Sequence, residues 1–370
     1  MLKTMCMLLL LLVMPICAQG ADPTQNTDPD IDHMLGAMLM LGFRGTSLSP
    51  GDPFLNMLKE GKIGGVILFD RDVTQGGNRN IASPEQLKAL TASLHDAAPN
   101  PIFIGIDQEG GQVRRLKPQK GFMDLPSAQA LGQGNPHATR ETASALGAEL
   151  AGLGINLDLA PVVDVDSNPF NPAIGRLGRS FGTEPQNVAQ HALAFGQGLA
   201  LNKVVPCLKH FPGQGCANDD SHLGLPDITQ CWKADVDLVP YAEIIAAGWP
   251  GMIMTGHILN RNIDEQAATF SHKIVTGLLR EGLGWQGVVI SDDLQMKAVA
   301  TGHTLKECIW LAIDAGMDIL LLGNNLEWDA NLPQKAWDAL RSLYDEGKLS
   351  KERIIQSWQR ISVLHAAYAQ

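Results

Sequence analysis

A single (β/α)8 TIM-type barrel is the fold class this α/β sequence predicts, and three observations predict it. Eight short aliphatic runs recur along the chain, with helical stretches between them. The runs are continuous in Val, Ile and Leu rather than alternating with polar residues, as strands covered on both faces require. Titratable residues collect just after the runs, where the strand ends of such a barrel converge on one face.

The chain has 370 residues, 45% of them hydrophobic, which suffices for a sizeable core. A formal charge of −11 and the lack of a basic stripe argue against nucleic acid as a partner. Residues 1–20 have the layout of a signal peptide: Lys3, an apolar Met5 to Val13, then the small residues around Ala18-Gln19-Gly20. The apolar stretch is short for a stable membrane span. Cys17 offers a lipoprotein alternative, although Ile16 stands where a small residue is expected before a lipidated cysteine. Residues 21–33 are polar, carry two prolines and read as a tether. The catalytic barrel is expected to occupy residues 34–370, in an exported, periplasmic or extracellular protein that works as a monomer.

The strands are expected, in order, within Met38–Phe43, Gly64–Phe69, Pro101–Ile106, Ile155–Val165, Val204–Phe211, Gly251–Ile258, Gly287–Asp293 and Met317–Gly323. Between them, Ala138–Gly154 begins near Thr139 and stops on Gly154, Asn187–Asn202 repeats the pattern, and Thr304–Gly316 ends on glycine. An open doubly wound sheet is the alternative, but no glycine fingerprint follows the first strand. Of the cysteines beyond the signal, Cys207 and Cys308 sit in apolar patterns and are expected as buried free thiols. Cys216 and Cys231 lie in polar segments, where an exported protein has the option of linking them.

The strand ends carry Asp107, Glu109 and Arg115, then Asp164 and Asp166, Lys209 and His210, His257, and Asp292 and Asp293. Taken singly, each is more readily a helix cap or a turn former than a site residue. Taken together they need a common pocket, because capping calls for neither a Lys-His pair nor a Ser-Asp-Asp run. In "ISDDLQM", Asp292 is placed to face the barrel mouth and act as a nucleophile, while Ser291 or Asp293 serves as a cap in the bland reading. In "KHFPGQGCANDDSH", Asp220 and His222 stand two residues apart, on one side of an extended segment. That pairing orients an imidazole for proton transfer. Gly213 and Gly215 are expected as joints of a swinging loop that also carries Gln214. His210, Cys216, Asp219, Asp220 and His222 include zinc-ligand types, but their spacing matches no familiar site, so no metal and no cofactor is expected.

The stretches "IDQEGGQVRRL", "LAPVVDVDSNPFNPAIGRLGRSFG", "KHFPGQGCANDDSHLGLP" and "GVVISDDLQMKA" resemble glycoside hydrolase family 3 β-N-acetylhexosaminidases, from Met34 to the last helix. The resemblance implies a retaining exo-hydrolase of terminal β-GlcNAc on peptidoglycan- or chitin-derived oligosaccharides. It implies Asp292 as nucleophile, His222 as acid/base with Asp220 its partner, and Asp107, Arg115, Arg179, Lys209 and His210 as sugar-binding residues. The family's β-glucosidase branch draws its acid from a second domain, whereas here the acid is expected within the barrel loops. Gln214 stands where the family usually has His, and Gln112 where it has Arg. A β-glucosidase-like hydrolase and a non-catalytic sugar-binding protein are the alternatives.

Overall fold

The computed structural model describes residues 30–369, so the predicted signal and most of the tether lie outside the described residues. The last tether residues are helical, because a helix starts at Ile31 and runs to Ala37. Eight parallel strands follow: β1 (Leu39–Gly42), β2 (Gly65–Leu68), β3 (Phe103–Ile106), β4 (Leu157–Asp158), β5 (Val205–Phe211), β6 (Met252–Thr255), β7 (Val289–Ile290) and β8 (Leu320–Leu322). Their order in the sheet is β8-β1-β2-β3-β4-β5-β6-β7. A parallel bridge between Ile290 and Ile319 joins the two ends, which closes the ring and excludes the open doubly wound sheet.

Every strand residue of the ring is buried, which explains the continuous aliphatic runs. Period-2 alternation still sorts them. Met40, Ile67, Leu157, Val205, Cys207, Met252, Met254, Ile290 and Leu321 fill the barrel interior. Leu39, Leu41, Val66, Leu68, Ile104, Leu208, Ile253 and Val289 face outward and pack under the helices. Each fully buried aliphatic side chain contributes about 1.5–3 kcal/mol.

The helices obey local rules with small shifts. The helix expected from Ala138 begins at Pro136 under an Asn135 cap, and Thr139 is instead buried on His191. Helix Leu305–Ala315 stops at Gly316, as expected, and starts on a Thr304–Glu307 capping box. The fourth strand is the largest departure. Leu157–Asp158 form the ladder strand, a lone parallel bridge joins Val162 to Lys209, and the rest of "INLDLAPVVDV" runs on as irregular backbone at the barrel mouth. Among the described residues, no helix is long and apolar enough to cross a membrane.

Candidate active site

Two cavities stand out, at opposite ends of the ring. The larger, about 730 Å3, lies at the strand N-termini beneath the last helix and is mostly apolar. The smaller, about 470 Å3, lies at the strand C-termini. Barrels of this kind assemble chemistry at the C-terminal face. The smaller cleft is lined by Asp107, Arg115, Arg179, Lys209, His210, His222 and Asp292, so seven of the eight residues singled out in the sequence share it. Asp220, the eighth, stands behind His222.

The floor of the cleft is an ion-pair network that joins three strand ends. Lys209, at the end of β5, reaches Asp107 at 2.8 Å and Glu109 at 2.7 Å. Arg115 bonds the second oxygen of Asp107 at 3.1 Å. Arg179 grips Glu109 with two parallel bonds of 2.7 and 2.8 Å. Its remaining nitrogen donates to the Ala173 carbonyl. Burial would push the Glu109 carboxyl up, but Arg179 and Lys209 outweigh burial and hold it down at about 2. Asp107 is likewise held well below the carboxylate range, by Lys209 and Arg115 against burial. The same acids raise Lys209 above its ordinary value despite its burial, so the ammonium stays charged.

This network links acid titration to stability. Glu109 favours the folded state above its unfolded pKa of 4.5, and that contribution is lost as pH falls toward about 2. Urea-unfolding free energies measured from pH 6 to pH 2 should therefore fall less steeply in Glu109→Gln than in the wild type. An identical slope in the two proteins would contradict this pairing.

His210 is fixed from both sides. Its Nδ1 donates to Asp164 at 2.7 Å, and Nε2 faces Arg179 at 3.4 Å. Gln214 completes the arrangement. Its backbone N–H donates to Asp164 at 2.8 Å, and its side chain lies 3.0 Å from the His210 ring. Gln214 is thus buried beneath the cleft, and the expected swinging position is corrected. The flanking glycines are corrected with it. A Cβ on Gly215 would lie 1.7 Å from the Val165 carbonyl oxygen, and one on Gly213 would strike Asp237. Both positions permit close packing of backbone and are not free joints.

Asp292 follows β7. Burial works against its charge, but His257, His210 and the Asp293 backbone N–H outweigh burial and keep the carboxyl below its ordinary range. One oxygen accepts that N–H at 2.8 Å. His257 is buried, which lowers its pKa. Its Nε2 donates to the Asp293 carbonyl at 2.9 Å, while Nδ1 meets the Thr269 hydroxyl at 2.7 Å. The bland readings of Ser291 and Asp293 as helix caps do not hold. Ser291 accepts from the Leu321 N–H, and Asp293 accepts from Gly323 and Gln295, so both seam β7 to β8. Asp293 is pushed up to about 6 by burial. The two adjacent carboxyls therefore differ: the first is ionised at neutral pH and the second sits close to its titration point.

His222 lies on the rim, its side chain 55% exposed. Its Nδ1 donates to Asp220 at 2.7 Å, which leaves Nε2 for a substrate. The contact is made by a turn, since the His222 N–H also bonds the Asp220 side chain, and not by the extended segment expected. The zinc-like set is dispersed: His210 is committed to Asp164, and Cys216 is joined to Cys231 by a disulfide. Cys207 and Cys308 are buried free thiols, as expected.

A sequence profile described as "Glycosyl hydrolase family 3 N terminal domain" matches residues 31–364. The chain belongs to glycosyl hydrolase family 3. It is 36% identical to beta-hexosaminidase A of Pseudoalteromonas piscicida over 90% of its own length and 60% of that protein's. It is 35% identical to a beta-hexosaminidase of Alkalilimnicola ehrlichii, covering 87% of this chain and 89% of that one. A solved family 3 beta-N-acetylglucosaminidase from Paenibacillus superposes with a TM-score of 0.83 at 34% identity, over 91% of this chain and 62% of that one. The beta-N-acetylhexosaminidase from Beutenbergia cavernae superposes with a TM-score of 0.81 at 29% identity, over 92% of this chain and 100% of that one. The chain thus spans about three fifths of the length of the Pseudoalteromonas and Paenibacillus relatives.

Glu109, Asp164 and His257 stand at strand ends where the sequence assigns them no specific role, and Asp158, inside the fourth strand, carries no sequence signal at all. Asp158 is buried and burial raises its carboxyl well above the ordinary range. A charge count offers the missing signal. Arg115, Arg179, Lys209 and His210 converge with only Asp107 assigned against them, and buried cations need paired carboxylates.

Proposed function

We propose that this protein is an exo-acting retaining β-N-acetylglucosaminidase that releases terminal GlcNAc from peptidoglycan- or chitin-derived oligosaccharides. The observation that carries the reading is one cleft holding an ionised Asp292 at depth and an Asp220-oriented His222 at its rim. The names of the similar proteins support the sugar class.

In this reading the terminal sugar sits on the floor network. Asp107 accepts from its hydroxyls, Arg115, Arg179 and Lys209 supply donors, and His210 offers the lone pair of its Nε2. Asp292 attacks the anomeric carbon as the glycosidic bond breaks, while the protonated His222 gives its Nε2 proton to the departing oxygen. His222 then takes a proton from water, the resulting oxygen nucleophile displaces Asp292, and the sugar leaves with its β configuration. Asp220 holds the imidazole by Nδ1 through both steps. The usual spacing rule for two carboxylates does not apply, because the acid is an imidazole. The disulfide between Cys216 and Cys231 and the layout of residues 1–20 support export to an oxidising compartment.

A panel of chromogenic β-glycosides of GlcNAc, GalNAc, glucose and xylose tests the substrate. GlcNAc should lead the panel. Comparable turnover of glucoside would favour the β-glucosidase reading, and binding without turnover would favour a sugar-binding protein. His222→Ala should lower kcat/KM on a GlcNAc disaccharide by about 10²–10⁴-fold, the span of general acid–base catalysis. It should cost far less on a 2,4-dinitrophenyl glycoside, whose leaving group needs no proton. Equal losses would remove His222 from the acid role.

A further inference from the structure

The arc that carries Asp220 and His222 is poorly anchored along its length and firmly anchored at its two ends. Among the described residues, 219–225 hydrogen-bond only within themselves: His222, Leu223 and Gly224 all donate their N–H groups to Asp220. Leu223 is 79% exposed, and Ser221 is the one buried residue of this stretch. At the entry, Asn171 donates to the carbonyls of Gln214 and Gly215, and Asn168 donates to the Ala217 carbonyl. At the exit, Pro226 and Ile228 exchange backbone bonds with Leu259. Cys216 and Cys231 join these two ends covalently across 15 residues of chain, with their Cα atoms 5.8 Å apart.

Closing an arc of this size removes conformations in which its ends drift apart. The barrel gains little from this, since both ends are already hydrogen-bonded to neighbouring loops. The arc itself gains most, because residues 219–225 form no hydrogen bond outside themselves and only Ser221 among them is buried. The residue at its apex is His222, which must reach a glycosidic oxygen to within hydrogen-bond distance to protonate it. Small misplacements of a catalytic group are costly in rate.

We propose that the Cys216–Cys231 disulfide is a positioning pair for the acid/base: it holds the arc so that the His222 imidazole meets the leaving-group oxygen. The proposal rests on the assignment of His222 in the preceding section. Reduction by a dithiol breaks the sulfur–sulfur bond, adds two electrons and two protons, and leaves two thiols and a cyclic reagent disulfide. Asp292 follows β7, and Lys209, on the strand end from which the arc leaves, is held from the β3 side by Asp107 and Glu109, so reduction leaves their contacts in place.

The test compares leaving groups. Wild type, Cys216→Ser/Cys231→Ser and dithiothreitol-treated wild type are assayed on a GlcNAc disaccharide and on 2,4-dinitrophenyl β-GlcNAc, with near-ultraviolet circular dichroism to confirm the fold. The variant and the reduced enzyme should lose about 10-fold or more of kcat/KM on the disaccharide and much less on the activated glycoside, a fraction of the full acid contribution. A graded aryl series should show a steeper dependence on leaving-group pKa. Equal losses on both substrates, or none on either, would overturn the proposal. If the serine pair does not fold, the reduced wild type decides. His222→Ala in the oxidised protein is the reference. Should it show no leaving-group dependence, the acid assignment fails and this proposal with it. Should it show the dependence while the serine pair does not, this proposal alone fails.

Discussion

Replacing Asp292 by asparagine is expected to lower kcat by about 10⁴-fold or more on every substrate, the scale on which removal of a covalent nucleophile acts. That corresponds to at least roughly 5.5 kcal/mol of barrier. The asparagine oxygen still accepts the Asp293 N–H that Asp292 accepts at 2.8 Å, so the strand end should hold its shape. The loss should be as large on 2,4-dinitrophenyl β-GlcNAc as on a disaccharide, which separates this residue from His222. Azide supplies a second reading. With Asp292→Ala and the activated substrate, azide entering from the vacated face should give the α-glycosyl azide. Activity retained in both variants would move the nucleophile elsewhere, and Asp293, with its carboxyl at about 6, would become the next candidate.

Asp318→Ala should destabilise the fold by about 3–5 kcal/mol, measured as a shift in urea-unfolding free energy. Asp318 is fully buried just before β8. It accepts from Arg280 at 2.7 Å, Arg360 at 3.0 Å, Ser357 at 2.8 Å and the Val289 N–H at 3.0 Å, with Arg353 at 3.7 Å. Removing it leaves several cations facing one another with no anion, and it opens the β7–β8 seam. That seam also ties Ser291 to Ile319 and Leu294 to Leu321 on either side of Asp292, so activity should fall together with stability. As a control, Lys335→Ala breaks an exposed pair with Asp329 and should cost under about 1 kcal/mol. A similar small change at Asp318 would mean that the three arginines are solvated independently.

Asp292 and Asp318 differ in what local sequence says of them. Asp292 was legible because it stands in a short motif at the end of an aliphatic run, and strand direction alone places such a residue at the barrel mouth. Asp318 was not legible, because its role depends on arginines 35–42 residues away, which only closure of the ring brings together. The same holds for Glu109, whose partners Arg179 and Lys209 lie on other strand ends. Gln214 was misplaced for a related reason. A glycine-flanked polar segment looks open in sequence, but the spaces beside Gly213 and Gly215 are taken by Asp237 and Val165 from other segments.

The order of strands and helices, the stop at Gly316, the buried Cys207 and Cys308, and the chemistry-bearing residues at the strand ends follow from the sequence alone. Each depends on side-chain period, backbone preference or a compact motif, and all of these act over a few residues. Ring closure between β7 and β8, the shared carboxylates of the floor, the Asp164–His210–Gln214 clamp and the partner of Cys216 required the tertiary structure. They depend on through-space distance between segments far apart in the chain. Coulomb attraction and steric exclusion act on that distance, and local sequence does not specify it.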